Sequence, residues 1–200
     1  MADTKISAMT TATTPLTGSE LIPVVQSGSN AKTTVATLFS QYARGAYFNH
    51  GAWQDTTTQT PSTTVGTVFT FNSPDVLGGV TLAANTKFTV PVTGIYNFQW
   101  SGQFQNLDNA PQDATVWIRI NGTDVTGSAG VLGLPARKNP GDPFHSVFGW
   151  NYFLALTATQ YVELVWIATS TNVTLPAYVA STSPAYPSAA SVIVTVNQVG

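Results

Sequence analysis

The sequence predicts an all-β protein, an antiparallel sandwich or barrel, and three observations carry that expectation. Strand-like stretches rich in Val, Ile, Thr, Phe, Tyr and Trp recur from residue 46 onward, divided by Gly, Pro, Asn and Asp clusters. No helical period of comparable strength accompanies them. Apolar residues make up 43% of the chain and aromatics 11%, while charged residues make up 8% against about 25% in an average globular protein. Such a chain can fill a core, and it draws its solubility from Thr, Ser, Asn and Gln.

The strands are expected at 65–71, 79–82, 87–91, 94–101, 114–120, 146–156, 160–168 and 191–198. The clearest lies in "FTVPVTGIYNFQWS". Pro91 lacks an N–H and pauses the ladder. Gly94 is expected to supply a left-handed turn before the chain re-enters. From there Tyr96, Phe98 and Trp100 share one face, and Ile95, Asn97, Gln99 and Ser101 the other. Phe88, Tyr96, Phe98, Trp100, Val116 and Ile118 are the expected core.

Other strands are apolar on both sides. In "YVELVWIA", Val162, Leu164 and Trp166 oppose Tyr161, Glu163, Val165 and Ile167. In "SVIVTV", Ile193 opposes the valines. A lone antiparallel sheet should keep one face wet. Burial against other copies is therefore expected, with Trp117, Trp166 and Ile193 lining the interface.

Residues 1–45 form a separate segment, poor in aromatics. "ELIPVVQ" reads as a short extended piece, kept out of a sheet centre by Pro23. "SGSN" turns the chain. "KTTVATLFSQYA" reads as a short helix, capped by Thr33 or Thr34, with Val35, Leu38, Phe39 and Tyr42 on one face. This segment has too little apolar surface to fold alone and reads as an anchor. Its candidate contact residues are Ile6, Leu16, Leu21, Ile22, Val24, Val25, Val35, Leu38 and Phe39.

Composition excludes several classes. Seven Lys and Arg stand against nine Asp and Glu, for a net charge of -2. Nucleic-acid binding needs clustered cations, so none is expected. There is no cysteine, hence no disulfide and no thiolate metal site. No run of about 18 apolar residues offers a membrane span, and the opening "MADTKISAMTTATTPLTG" lacks the pattern of a secretory signal. The sequons at Asn121 and Asn172 are accordingly set aside.

Catalytic signals are sparse. Gly-x-Ser-x-Gly, His-Glu-x-x-His and the phosphate loop are missing. His50 and His145 read as structural or surface residues. Asp55, Asp75, Asp108, Asp113, Asp124, Asp142 and Glu163 could in principle pair for glycoside hydrolysis, but only Glu163 lies mid-strand. Asn106, Asp108, Asn109 and Asp113 could offer oxygens to calcium, against the plainer reading of a polar hairpin loop. The expectation is a protein that is not an enzyme and carries no cofactor and no metal. Two loops could be recognition surfaces: 134–145, with Arg137 and Lys138, and 178–191, with Tyr178 and Tyr186.

Two resemblances go further. "FTVPVTGIYNF", "VWIRINGTDV", "NYFLALTATQYVELVW" and "PSAASVIVTVNQV", in that order over residues 60–198, resemble the jelly roll of tumour necrosis factor and complement-like heads. Thr159-Gln160 departs from that family's Gly-Asp step. The resemblance implies a jelly-roll sandwich over 46–200 and a homotrimer. "KISAMTTATTPLTGSELIPVVQSGSNAKTTVATL" is similar to leaders that tie tailed-phage virion proteins to the particle. Together they imply a trimeric capsid decoration (cement) protein on the virion surface, made in the host cytoplasm and partnered by capsid shell or tail proteins. The alternative is a tail-fibre or tailspike-type protein that recognises host surface glycan.

Overall fold

The computed structural model describes residues 17–42 and 49–200. The chain divides into two compact units, 1–47 and 48–200. In the first unit β1 (Leu21–Gln26) and β2 (Ser29–Thr34) pair antiparallel. Ser27 and Gly28 join them at φ 53° and 77°, the left-handed pair that a two-residue turn requires. Pro23 is tolerated because this ribbon has only two strands. Helix α1 (Val35–Tyr42) follows at once. Thr34 is its cap, and its Oγ1 accepts the Thr37 N–H at 3.0 Å. Lys32 and Thr33, expected in the helix, belong to β2.

A turn before β1 is locked by Glu20. Its carboxylate accepts the N–H groups of Thr17 and Gly18 and the Thr17 hydroxyl, each at 2.8 Å. These bonds, the Thr17 N–H first, hold the Glu20 carboxyl down from 4.5 to about 2. None of the described residues of this unit is fully buried. Ile6 and Leu16, expected in the anchor, lie outside the described residues, as does the side chain of Phe39.

The second unit is two packed sheets. One holds β3 (His50–Asp55), β5 (Ser73–Gly78), β8 (Gly94–Asn106), β12 (Phe144–Leu156), β14 (Val173–Thr174) and β17 (Val192–Gln198). The other holds β4 (Thr67–Val68), β6 (Thr81–Ala83), β7 (Lys87–Thr89), β9 (Gln112–Ile120), β10 (Thr123–Asp124), β11 (Gly130–Leu134) and β13 (Tyr161–Ala168). A small hairpin, β15 (Ser181–Thr182) with β16 (Ala185–Tyr186), stands apart. The first sheet runs β12-β8-β17-β3-β5, and the second runs β9-β13-β7-β6 with β11 on the far side of β9. The eight principal strands are β3, β7, β8, β9, β11, β12, β13 and β17. Counted along the chain, one sheet reads sixth, third, eighth, first, and the other fifth, fourth, seventh, second. That is the double Greek-key order of a jelly roll.

Rings fill the space between the sheets. Phe88 lies 5.1 Å from Trp53, 5.0 Å from Phe71 and 6.3 Å from Phe98. Phe69 meets Trp100 at 5.5 Å and Trp166 at 5.7 Å, and Trp166 meets Phe104 at 5.9 Å. Phe88, Tyr96, Phe98, Trp100, Val116 and Ile118 are all buried, as expected. The alternation along β8 holds too, and it continues to Asn106, past the expected end at Ser101.

Several expectations change. Trp166 is fully buried among Phe69 and Phe104, so it belongs to the core and cannot line an interface. Trp117 and Ile193 point away from the core from opposite sheets, so they do not form one patch. The two-sided apolar pattern of β13 is satisfied within the chain. Val165 is buried on the outer side, and it meets the Trp117 ring where Gly66 leaves room for both. Gly94 is not left-handed. It is glycine because a Cβ there would strike the Gly200 carbonyl oxygen. Strands β3, β5 and β11 were not anticipated. Phe69 and Phe71, expected in a strand, are buried outside any strand.

Asn121 and Gly122 form a tight turn, at φ 49° and 81°, between β9 and β10. At the departure from the family pattern, Thr159 adopts φ 71°, a conformation that favours glycine. The Gln160 side chain helps close that turn by accepting the Thr157 N–H at 2.8 Å.

Two outcomes are expected. Phe88→Ala should cost about 3–5 kcal/mol in denaturant unfolding, because three neighbouring rings lose a partner at once. In an NMR titration the Glu20 carboxyl should titrate near 2. Its folded value is depressed, so its support of the turn is complete above 4.5 and fades as pH falls toward 2. Thr17→Val should move the titration upward.

Candidate functional site

The groups that could do chemistry are dispersed. Asp55 is buried in the first sheet, where it accepts the Thr57 N–H at 2.7 Å and the Thr70 hydroxyl at 2.8 Å. Asp75 accepts the Gln54 amide at 2.7 Å. Asp142 closes a turn with Asn139. Glu163 is buried mid-strand and takes a long bond from Thr86, at 3.4 Å. Among the described residues no group of three or more His, Asp or Glu is placed to hold a metal ion.

The loop considered for calcium is organised around an amide. Asn106 is fully buried, and its Nδ2 faces the carbonyl oxygens of Ala110, Leu134 and Pro135 at 2.9–3.3 Å. Its Oδ1 accepts the Asp108 N–H at 2.8 Å. The oxygens that converge here are held by a neutral donor. Asp108 turns outward to Asn172 Nδ2 at 2.6 Å. Bonds from Ser170 and Asn172 and the nearby Arg137 charge hold its carboxyl below the usual range. Asn109 is exposed, and the Asp113 N–H donates to Thr169.

The two outer faces of the sandwich differ in chemistry. On the seven-stranded sheet the outer face carries Lys87, Arg119, Asp124 and Glu163. Asp124 Oδ1 accepts from Arg119 Nε at 2.8 Å and from the Trp117 indole at 2.7 Å. The indole bond first, then the guanidinium, keeps the Asp124 carboxyl below its ordinary value. Lys87 sits 4.7 Å above the Tyr161 ring. This is a face made for water.

The six-stranded sheet is the opposite. Strands β8, β12 and β17 contain no Lys, Arg, Asp or Glu. Their outward positions in register are Val147 beside Gln103, Asn151 beside Gln99 and Thr195, Phe153 beside Asn97 and Asn197, and Ala155 beside Ile95. Phe153 is 64% exposed, Val147 71%, Ile193 48% and Ile95 46%. The ionisable groups on this face stand at its margins: His145 where β12 begins, and His50 and Asp75 on the β3–β5 side. Of the expected interface residues only Ile193 belongs here. Ile95, Val147 and Phe153 were missed. Their signal was the uninterrupted absence of charge in three long strands.

The recognition loops meet at one point. Tyr178 O–H lies 3.0 Å from His145 Nδ1, so the 178–191 loop touches the end of the 134–145 loop. Arg137 and Lys138 fix their own loop through the backbone, to Asp108 and Asp142. Tyr186 is exposed on β16. At the sandwich edge formed by β5 and β6 lies a groove of about 480 Å3, lined by Trp53, Phe71, Pro74, Leu77 and Leu82 among others.

No protein-family model matches the chain, and no curated protein is similar to it.

Trp117→Phe removes the strongest bond to Asp124. Its carboxyl titration, followed by NMR, should move up toward that of an ordinary aspartate, while Asp108 stays where it is.

Proposed function

We propose that the chain is a structural protein that assembles with copies of itself through the outer face of the six-stranded sheet. The carrying observation is the division of charge between the two sheets. A face with exposed Phe153, Val147, Ile193 and Ile95 and no charge in its central strands favours a covered state. Burying each such side chain is worth about 1.5–3 kcal/mol. The amides and hydroxyls interleaved with them fit an interface that forms hydrogen bonds as well. A second copy is the fitting occupant, because a charge-free surface meets its own kind without leaving a charge unpaired.

Three copies, a virion and a capsid come from the resemblances and complete the reading. A trimeric sandwich would be tied to a tailed-phage shell by its N-terminal unit, as a decoration (cement) protein. Three weak anchors on one trimer would bind by avidity. A receptor-binding tip for host glycan is the second reading. It is favoured by the exposed tyrosine loop at one end of the sandwich.

Sedimentation equilibrium should find a trimer for the parent chain. Ile193→Glu and Phe153→Glu should each weaken association by about 100-fold or more, since an unpaired carboxylate would be buried, and leave the sandwich folded by circular dichroism. A monomeric parent chain would defeat the self-association reading. In purified particles, quantitative mass spectrometry should find a copy number of the order of the shell protein's. A few copies per particle would favour the tip.

A further inference from the structure

Strand β12 is the longest sheet edge among the described strands. It runs 13 residues, from Phe144 to Leu156, and the order of the six-stranded sheet ends on it. It pairs with β8 along its whole length and with no other described strand. The direction of its free backbone groups follows from alternation. On β8, the Ile95 N–H donates to the Gly200 carbonyl and the Gln103 N–H to the Ser191 carbonyl, both on the β17 side. The odd positions of β8 therefore face β17, and its even positions face β12. Even positions of β8 lie opposite even positions of β12, as Trp100 opposite Trp150. The N–H and C=O groups of His145, Val147, Gly149, Asn151, Phe153 and Ala155 are thus left pointing out of the edge.

Sheets guard such edges with charge, proline, bulges or brevity. The opposite edge of this sheet, β5, has Pro74, Asp75 and a register shift against β3. In the other sheet β6 has 3 residues and β11 has 5. Strand β12 has none of these guards: no charged residue, no proline and an unbroken register. Its inward side is open as well. Phe148, Trp150 and Tyr152 form a row with ring centroids 5.9 and 6.4 Å apart, and the last two rings are nearly parallel, at 13°. Trp150 is 45% exposed, although its neighbour Trp100 is buried.

We propose that β12 pairs with β12 of a second copy, antiparallel about a two-fold axis at Trp150, so that the sheet continues from one copy into the other. The order of residues in the strand selects its own copy. Outward-pointing backbone groups bond only to outward-pointing groups, so odd residues must meet odd residues. Full overlap centres on Trp150, the middle of the strand. In that register Val147 meets the other copy's Phe153, Gly149 meets Asn151 and His145 meets Ala155. Every free N–H and C=O of the edge gains a partner. The two most exposed hydrophobes of the strand, Val147 and Phe153, lie side by side at both ends of the contact. On the inward side Trp150 meets Trp150 and Phe148 meets Tyr152, at the closer spacing of a non-hydrogen-bonded pair. A two-fold contact requires this self-complementary pattern, in which residue i meets j and j meets i. An unrelated strand would satisfy the backbone but would have to reproduce this order of side chains. The contact runs along the sheet edge. It shares with the proposed function the choice of a second copy as partner, and Val147 and Phe153 border both surfaces.

Backbone amide exchange reads this contact on the unaltered full chain. By NMR, the N–H groups of Val147, Gly149, Asn151, Phe153 and Ala155 should exchange about tenfold or more slowly once copies associate, because only pairing along the edge covers them. Exchange that stays fast at every protein concentration overturns the proposal. The chain has no cysteine, so Trp150→Cys places a single thiol on the axis. Its Cα separation from the other copy's thiol would fall near the roughly 4.4–6.8 Å of a disulfide, and oxidation should give a dimer on a non-reducing gel. Phe153→Cys alone should not, since its two copies would stand about 20 Å apart. Dimers from Phe153→Cys and none from Trp150→Cys overturn the edge contact in favour of the face. Asn151→Pro added to Trp150→Cys removes an outward N–H and no bond to β8. The sandwich should stay folded by circular dichroism while trapping falls by about tenfold or more. Trapping unchanged by the proline overturns the proposal. Trapping that persists in Ile193→Glu, whose side chain stands on the face, supports the edge as a contact of its own, and trapping lost with that substitution overturns it.

Discussion

The belt of rings between the two sheets is the constraint on which the sandwich depends. Phe88, Phe98, Trp53 and Phe71 form one group, and Phe69, Trp100, Trp166 and Phe104 the other. Rings of this size bury on the order of 150–250 Å2 each. No disulfide, metal or ion-pair network shares the task among the described residues. The one salt bridge found there, Arg119 to Asp124, is exposed and worth little. Packing between the sheets therefore fixes the inward position of every principal strand, and the outward positions follow by alternation. The indole rings of Trp100 and Trp166 are buried in this belt.

That dependence explains what could be read in advance. Strand β8 was legible because its inward rings and outward amides alternate without a break, and one face is buried. The tight turn at Asn121-Gly122 and the Thr34 cap were legible because each is local chemistry in a few residues. Strand β5 was not. It carries Pro74, has an irregular register against β3 and lies on an edge, where such residues are tolerated. Strand β11 is short and carries two glycines, so it becomes a strand through its neighbours. Trp166 was misplaced for a related reason. A strand apolar on both sides does not say which side meets the core, nor that a neighbouring Trp117 will cover the other.

The candidate site was less legible than the fold. Its signal is an absence spread over β8, β12 and β17, and it becomes visible only when the sheet order sets those strands side by side. The sequence shows charge to be scarce everywhere. The structure shows that the scarcity is unequal. Lys87, Arg119, Asp124 and Glu163 gather on one outer face, and the central strands of the other are left with amides, hydroxyls and open hydrophobes.

This inequality also bears on how copies of such a chain would meet. A protein with so little net charge has weak electrostatic repulsion between copies, so its exposed apolar surfaces are free to associate. Open sheet edges add to that risk. A chain can meet it by spreading hydrophobes thinly or by directing them into specific contacts. Phe153, Val147, Ile95 and Ile193 share one face, while other exposed apolar residues, Val65 and Val131 among them, lie elsewhere. A shared face favours a defined contact over indiscriminate sticking. The outer face of the other sheet carries charge instead, and charge resists desolvation.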